Sequence, residues 1–125
     1  MVSIQIINTV NEMFMAITVQ GSLTVLPKTV IEVLNNQVNF HCASALHSIY
    51  WEVDGIEARL VQVQDRGITF VTTNGQTGTG TTSVLTVESS AANNNTQVVC
   101  VALNVENDQI VQRSPVAYLI VQGIK

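Results

Sequence analysis

Hydrophobic and polar residues alternate with a period of two along most of the chain beyond residue 36, as they do in strands that bury one face. The inward-facing triplets that this alternation predicts are Val38, Phe40 and Cys42; Ile49, Trp51 and Val53; Ser83, Leu85 and Val87; Val98, Cys100 and Ala102; and Ala117, Leu119 and Val121. A further strand is expected over 58–65, and an edge strand broken at Pro27 over 22–37. About eight strands in roughly 100 residues is the spacing of an all-β sandwich or barrel.

The composition agrees with an all-β fold and narrows the range of functions. Hydrophobic residues make up 46% of the 125-residue chain, a length typical of one domain, and many of them are Val and Ile, whose branched side chains fit a pleated sheet. The net charge is −4, and the 5 Lys and Arg residues are scattered along the sequence. Because no basic patch is available to neutralise phosphates, we expect no nucleic-acid binding.

The sequence contains no evident catalytic or metal-binding constellation. His41 is expected on the outward side of its strand and His47 in the following loop, and neither has further ligands at a compatible spacing. The serines have no histidine within obvious reach. We therefore expect no enzyme activity, no cofactor, no metal and no small-molecule substrate.

The two cysteines and the single tryptophan are the most informative residues. Two cysteines are too few for a disulfide scaffold or a four-ligand zinc site, which leaves one bridge between sheets or a pair of buried thiols. Trp51 follows Cys42 by 9 residues, and Cys100 follows Cys42 by 58. With the segments VNFHC, IYW, SVLTV, VVCVA and AYLIV around these positions, residues 22–125 resemble an immunoglobulin-like domain of the intermediate or variable type.

The resemblance implies a Greek-key β-sandwich of two antiparallel sheets, bridged by a disulfide between Cys42 and Cys100. The core residues that it implies are Trp51, Leu85, Val98 and Leu119. Because a disulfide requires an oxidising compartment, the implied location is extracellular or at the cell surface, within a larger receptor-like membrane protein.

Three departures from the family's pattern bear on individual interactions. Val98 stands where the family usually has a tyrosine that hydrogen-bonds back to the preceding corner. Asn94 stands where an acidic residue usually pairs with an arginine, which here would be Arg66. The last strand lacks the glycine bulge of antigen-receptor variable domains, which favours a generic adhesion or receptor module.

Residues that alternate with the core triplets predict an apolar face on strands C, F and G, which are neighbours in this fold. Its members are Tyr50, Glu52, Val99, Val101, Leu103, Val116, Tyr118 and Ile120. A solvated face should be polar, so we expect this one to bind a protein, for example another immunoglobulin-like domain, as in cell adhesion. The alternatives are a face covered by residues 1–21 or a neighbouring domain, a structural spacer in a tandem array, and an intracellular scaffold module with unbridged thiols.

Signals for export and modification are sparse. The first 20 residues lack the basic start of a signal peptide, and no apolar run approaches the roughly 20 residues that span a bilayer. The segment NNT at 94–96 is a glycosylation sequon in a polar corner, so Asn94 is expected to carry a glycan if the protein is a secreted glycoprotein.

A similar segment occurs near both ends of the chain, AITVQG at 16–21 and AYLIVQG at 117–123. The two glycines are 102 residues apart, about the length of one immunoglobulin-like domain. Residues 1–21 are therefore interpreted as an N-terminal extension that ends with the last strand of a preceding domain, with chance similarity as the alternative. We expect this extension to have no sheet of its own, and to be disordered or to add to an exposed edge.

Overall fold

The computed structural model describes residues 4–8, 13–17, 22–74, 80–104 and 106–124. Within these ranges the strands are β1 (Ile4–Asn8), β2 (Met13–Ile17), β3 (Leu23–Val25), β4 (Val30–Val33), β5 (Gln37–Ser44), β6 (Ser48–Val53), β7 (Ile56–Glu57), β8 (Thr69–Asn74), β9 (Thr81–Glu88), β10 (Thr96–Asn104), β11 (Gln109–Arg113) and β12 (Ala117–Gln122). The helical segments there are α1 (Val61–Gln64) and a 3₁₀ turn (Ala91–Asn93). Strands β3 to β12 form two sheets around one core, which confirms the all-β sandwich expected from the sequence.

One sheet has six strands, in the order β4-β12-β10-β6-β7, with β11 also paired to β10. Strand β12 runs parallel to β4, with Leu119 opposite Val30, and the other pairs of this sheet are antiparallel. Between β11 and β12, the Ser114 hydroxyl accepts a hydrogen bond from the Cys100 amide at 2.9 Å, which keeps this irregular stretch attached to β10. The two-residue turn Asp54–Gly55 joins β6 to β7, and both residues have positive φ.

The other sheet has four antiparallel strands in the order β3-β5-β9-β8. Strand β3 pairs with β5 in this sheet, whereas β4 pairs with β12 in the six-stranded sheet. The chain changes sheets within residues 26–29, around Pro27, which has no amide hydrogen to donate to a ladder. The single broken edge strand expected from the sequence is therefore two strands in two different sheets.

The period-two pattern correctly predicts which side chains form the core. Every member of the five inward triplets is buried, including Leu85, Val98 and Leu119, which have no exposed surface. Val63 and Ile68, from the connection between β7 and β8, complete the same cluster. Each fully buried aliphatic or aromatic side chain contributes about 1.5–3 kcal/mol of transfer free energy, so this cluster is the main source of stability.

Two bonds cross from one sheet to the other at the centre of the core. Cys42 on β5 and Cys100 on β10 form the disulfide that the resemblance implied, with their Cα atoms 6.5 Å apart. The indole N–H of Trp51 on β6 donates a hydrogen bond to the Ser83 hydroxyl on β9 at 2.8 Å. The bridge replaces the alternative of two free thiols, and the hydrogen bond satisfies the polar atom of the buried tryptophan.

The strand expected over residues 58–65 is wrong. Val61–Gln64 form one helical turn instead, in which the Asp65 amide donates to the Val61 carbonyl at 2.8 Å. A strand would have placed Val61 and Val63 on the same face, but Val63 is buried and Val61 is 64% exposed. The helical turn lets the chain insert Val63 into the core while it crosses to the opposite sheet.

Strands β1 and β2 form a separate antiparallel ladder, with Ile4 opposite Ile17 and Asn8 opposite Met13. The expectation that the N-terminal extension has no sheet of its own is therefore wrong for residues 4–8 and 13–17. Residues 18–21, which include most of AITVQG, lie outside the described residues.

Candidate interaction face

The outer face is the surface of the six-stranded sheet that points away from the core. The alternation of each strand places on it Ile31 and Val33 of β4, Ser48, Tyr50 and Glu52 of β6, Gln97, Val99, Val101 and Leu103 of β10, Arg113 of β11, and Tyr118 and Ile120 of β12. The outward direction expected for the residues of strands C, F and G is thus the one observed. The chemistry of the face, however, is not uniform.

The half of the outer face built mainly by β4 and β12 is apolar. Ile31 is 61% exposed and lies opposite Ile120 in the parallel pair. Tyr118 is 39% exposed, and Val116, just before β12, is also exposed. Val99 on the neighbouring strand β10 is half-buried. These five residues are here called the apolar half. They expose aliphatic and aromatic surface on a sheet face, although a sheet face in contact with water is usually polar.

The half built by β6 and β11 carries charged and polar groups around Glu52 and Arg113, whereas Ile110, opposite Leu103, is 47% exposed. Arg113 and Glu52 form an ion pair, and the Tyr50 hydroxyl lies 3.5 Å from the Glu52 carboxylate. Val101 lies between Tyr50 and Arg113 in the register of the sheet and has no exposed surface. Of the predicted interface residues, Val101 is thus the one that is buried within the domain and offers no surface to a partner.

The environment of Tyr50 keeps its hydroxyl protonated. Burial, and then the negative charge of Glu52, raises the pKa of Tyr50 above its ordinary value, although Arg113 acts in the opposite direction. A tyrosine is neutral at pH 7 even at its ordinary pKa, so this shift matters only in alkaline solution, where it delays ionisation of Tyr50.

The sequence analysis missed Ile31 and Val33 as members of the outer face. The available signal was the alternation in VIEV at 30–33, in which the residues that face away from the core are exposed and apolar. The interpretation of residues 22–37 as one edge strand hid this signal, because it gave β4 no neighbour in the six-stranded sheet.

Arg66 has a different acidic partner from the one that the family's pattern implies. Its Nη1 forms an ion pair with Asp54 Oδ2 at 2.8 Å. Its Nη2 donates hydrogen bonds to Thr96 Oγ1 at 2.8 Å and to Asn93 Oδ1 at 3.2 Å. The charge missing at Asn94 is thus replaced by Asp54, which the β6–β7 turn brings to the same corner.

Asn94 is held at the corner by a hydrogen bond in which its Oδ1 accepts the Val121 amide at 2.8 Å. This bond uses the side-chain oxygen and not the nitrogen Nδ2, which is the atom that a glycan would modify. Glycosylation at Asn94 stays a prediction.

In the described ranges, no three His, Cys, Asp or Glu side chains come together as a metal site. Both helical segments of those ranges are single turns, and neither has the length and hydrophobicity needed to cross a membrane.

Solved structures with the same architecture establish the fold class. The chain is similar to the first domain of Duf (Kirre), with a TM-score of 0.58 and 13% identity over 85% of this chain and 100% of that one. It is similar to the N-terminal eight Ig domains of Down Syndrome Cell Adhesion Molecule (DSCAM), with a TM-score of 0.62 and 19% identity over 84% of this chain and 13% of that one. Rst D1-D2 matches with a TM-score of 0.57 and 14% identity, over 82% of this chain and 49% of that one.

The chain therefore folds as an immunoglobulin-like β-sandwich, as its Cys–Trp–Cys spacing indicated. It spans about half of the Rst chain and a smaller part of the DSCAM chain that it matches. No protein-family model matches the sequence, and no curated protein is similar enough to be matched.

Proposed function

We propose that this domain is an extracellular protein-recognition module that binds a second copy of itself through the apolar half of the outer face. The observation that carries the proposal is the exposure of Ile31, Tyr118 and Val116 together on one regular sheet surface. Tyrosine and aliphatic side chains on a rigid strand lose little conformational entropy on binding, which makes them effective contact residues.

Two observations support an extracellular setting and an adhesive role. The Cys42–Cys100 disulfide fits a compartment in which disulfides persist. One solved structure with the same fold is described as a cell adhesion molecule, and its matched part consists of Ig domains. The fold by itself is used for many functions, so the adhesive role rests on the outer face.

The test is a measurement of self-association by sedimentation velocity at micromolar concentrations. Tyr118→Lys places a charge at the centre of the apolar half, and we expect it to weaken association by about 30-fold or more, the effect of removing a residue that contributes about 2 kcal/mol. Val71→Lys is the matched control, because Val71 is 70% exposed on β8 in the opposite sheet. It adds the same charge to an exposed strand residue and should leave association unchanged.

Two results would contradict the proposal. A wild-type chain that stays monomeric throughout this concentration range would favour the spacer role. Equal effects of Tyr118→Lys and Val71→Lys would show that association depends on net charge and not on the apolar half. In both variants, an unchanged far-UV circular dichroism spectrum establishes that the domain is still folded.

A further inference from the structure

The N-terminal ladder can be compared with the pair formed by β10 and β12, because both are antiparallel and a glycine follows the second strand of each. In the N-terminal ladder the pairs are Ile4 with Ile17, Gln5 with Ala16, and Ile6 with Met15. Between β10 and β12 the pairs are Thr96 with Leu119, Gln97 with Tyr118, and Val98 with Ala117. A glycine follows Ile17 and Leu119 at the same distance, at Gly21 and Gly123.

Aligning the two glycines superimposes the second strands of the two ladders. Because each second strand is paired with a first strand, the first strands are then aligned as well. The segment IQII at 4–7 then corresponds to TQVV at 96–99, with a glutamine at the same place in both. The sequence similarity of the last strands is independent of the backbone pairing. The pairing thus adds to this similarity one identical glutamine and three positions that are β-branched in both segments.

We propose that residues 1–21 end a preceding immunoglobulin-like domain, with the β1–β2 hairpin as its closing strands, and that the chain therefore belongs to a tandem array. The hairpin supplies the last two strands of that domain. The described sandwich starts at Ser22. A two-stranded ladder on its own is at best marginally stable in water, which fits a hairpin whose remaining sheet lies elsewhere.

The correspondence also specifies how the preceding domain differs from this one. Between Ile7 and Met15 there are 7 residues, whereas between Val99 and Ala117 there are 17, so its closing hairpin is shorter. Asn8 occupies the place of Cys100. The preceding domain therefore lacks the cysteine of its second-to-last strand and has no inter-sheet disulfide of the kind seen here.

The first described residue of the sandwich, Ser22, is attached to the loop between β5 and β6. The Ser22 carbonyl accepts the Ala45 amide at 3.0 Å, and the Ser22 and Ser44 hydroxyls are 3.2 Å apart. The chain thus enters next to the loop between β5 and β6.

The first experiment is to extend the natural reading frame upstream of the Met1 codon and to express the extended chain. We expect the extension to encode the other strands of an immunoglobulin-like domain, with a core tryptophan. Hydrogen exchange of residues 4–8 and 13–17 should be fast in the 125-residue chain and protected in the extended chain, because only the latter contains the rest of their sheet. An in-frame stop codon before Met1, or unprotected residues in the extended chain, would overturn the proposal.

A pair of matched proline substitutions gives a second test in the 125-residue chain itself. Proline removes a backbone donor from a strand, so Val98→Pro should abolish the thermal transition of the described domain. Ile6→Pro, at the corresponding position of the hairpin, should leave the Tm unchanged within about 2 °C, because the hairpin belongs to another domain. A decrease of many degrees for Ile6→Pro would show that the hairpin is part of the described domain, and would refute the assignment. Neither test depends on what the outer face binds.

Discussion

The hydrogen bond between Trp51 and Ser83 should be among the most important polar contacts of the core. The two atoms are 2.8 Å apart, and both residues are almost completely buried. In Ser83→Ala the indole N–H would stay buried without an acceptor, which costs about 1–3 kcal/mol. The other partners of the Ser83 hydroxyl, on the exposed strand β8, can bond to water instead. We therefore expect a loss of about 2 kcal/mol in the free energy of unfolding.

A double-mutant cycle separates this hydrogen bond from the packing around it. Trp51→Phe removes the donor, so Ser83→Ala should cost little in that background, and the coupling energy should be about 1–2 kcal/mol. Urea unfolding followed by far-UV circular dichroism is the appropriate assay, because Trp51 is the only tryptophan and its fluorescence is lost in two of the four proteins. A coupling energy below about 0.5 kcal/mol would refute the reasoning, since it would show that the indole N–H is not dependent on Ser83.

Three further predictions concern the bridge, one glycine and one ionisable group. Replacing both Cys42 and Cys100 by alanine should lower the free energy of unfolding by about 4 kcal/mol. Alkylation of the wild-type chain, denatured but not reduced, should add no mass because both thiols are in the bridge. Gly80 has a φ of +85°, and a Cβ added there would lie 2.1 Å from a backbone oxygen, so Gly80→Ala should lower the free energy of unfolding by more than about 2 kcal/mol. Gly55 also has a positive φ but has free space around it, so Gly55→Ala should cost only about 1–2 kcal/mol. Urea unfolding measures both values. Because the pKa of Tyr50 is raised in the folded protein, the unfolded chain loses the tyrosine proton first when the pH rises above the ordinary pKa of about 10. The stability of the fold should therefore be retained below about pH 10 and should fall as the pH rises beyond it. In thermal melts, Tyr50→Phe should reduce this dependence on pH.

The core could be predicted from the sequence because its pattern is local. A strand that buries one face has a period of two, so Phe40, Trp51 and Leu85 could each be assigned an inward direction from their immediate neighbours. The pattern fails where the chain leaves the strand conformation for a few residues. Val61 and Val63 fit a strand equally well in the sequence, and only the need to cross between sheets makes this segment helical.

Contacts between segments distant in sequence could not be predicted in the same way. The pairing of β4 with β12 brings Ile31 beside Ile120, which is 89 residues away along the chain. The ion pair of Arg66 with Asp54 similarly depends on a turn and a corner that meet only in the folded sandwich. In each case the sequence shows that the residue is apolar or charged. Which residue it contacts depends on the strand register and the sheet topology.

The division of the outer face has a consequence for where a partner would bind. An interface over β6 and β11 would have to remove water from the Glu52–Arg113 ion pair, and the cost of that desolvation often exceeds the Coulombic gain. The apolar half carries no such cost, because burying Ile31, Ile120 and Tyr118 releases water from apolar surface. The energetic centre of a complex should therefore lie near Tyr118, on the side of β4 and β12, with Tyr50 at its rim. Under this reasoning Tyr118→Lys weakens association more than Tyr50→Lys does, and the opposite order would place the interface on the charged half.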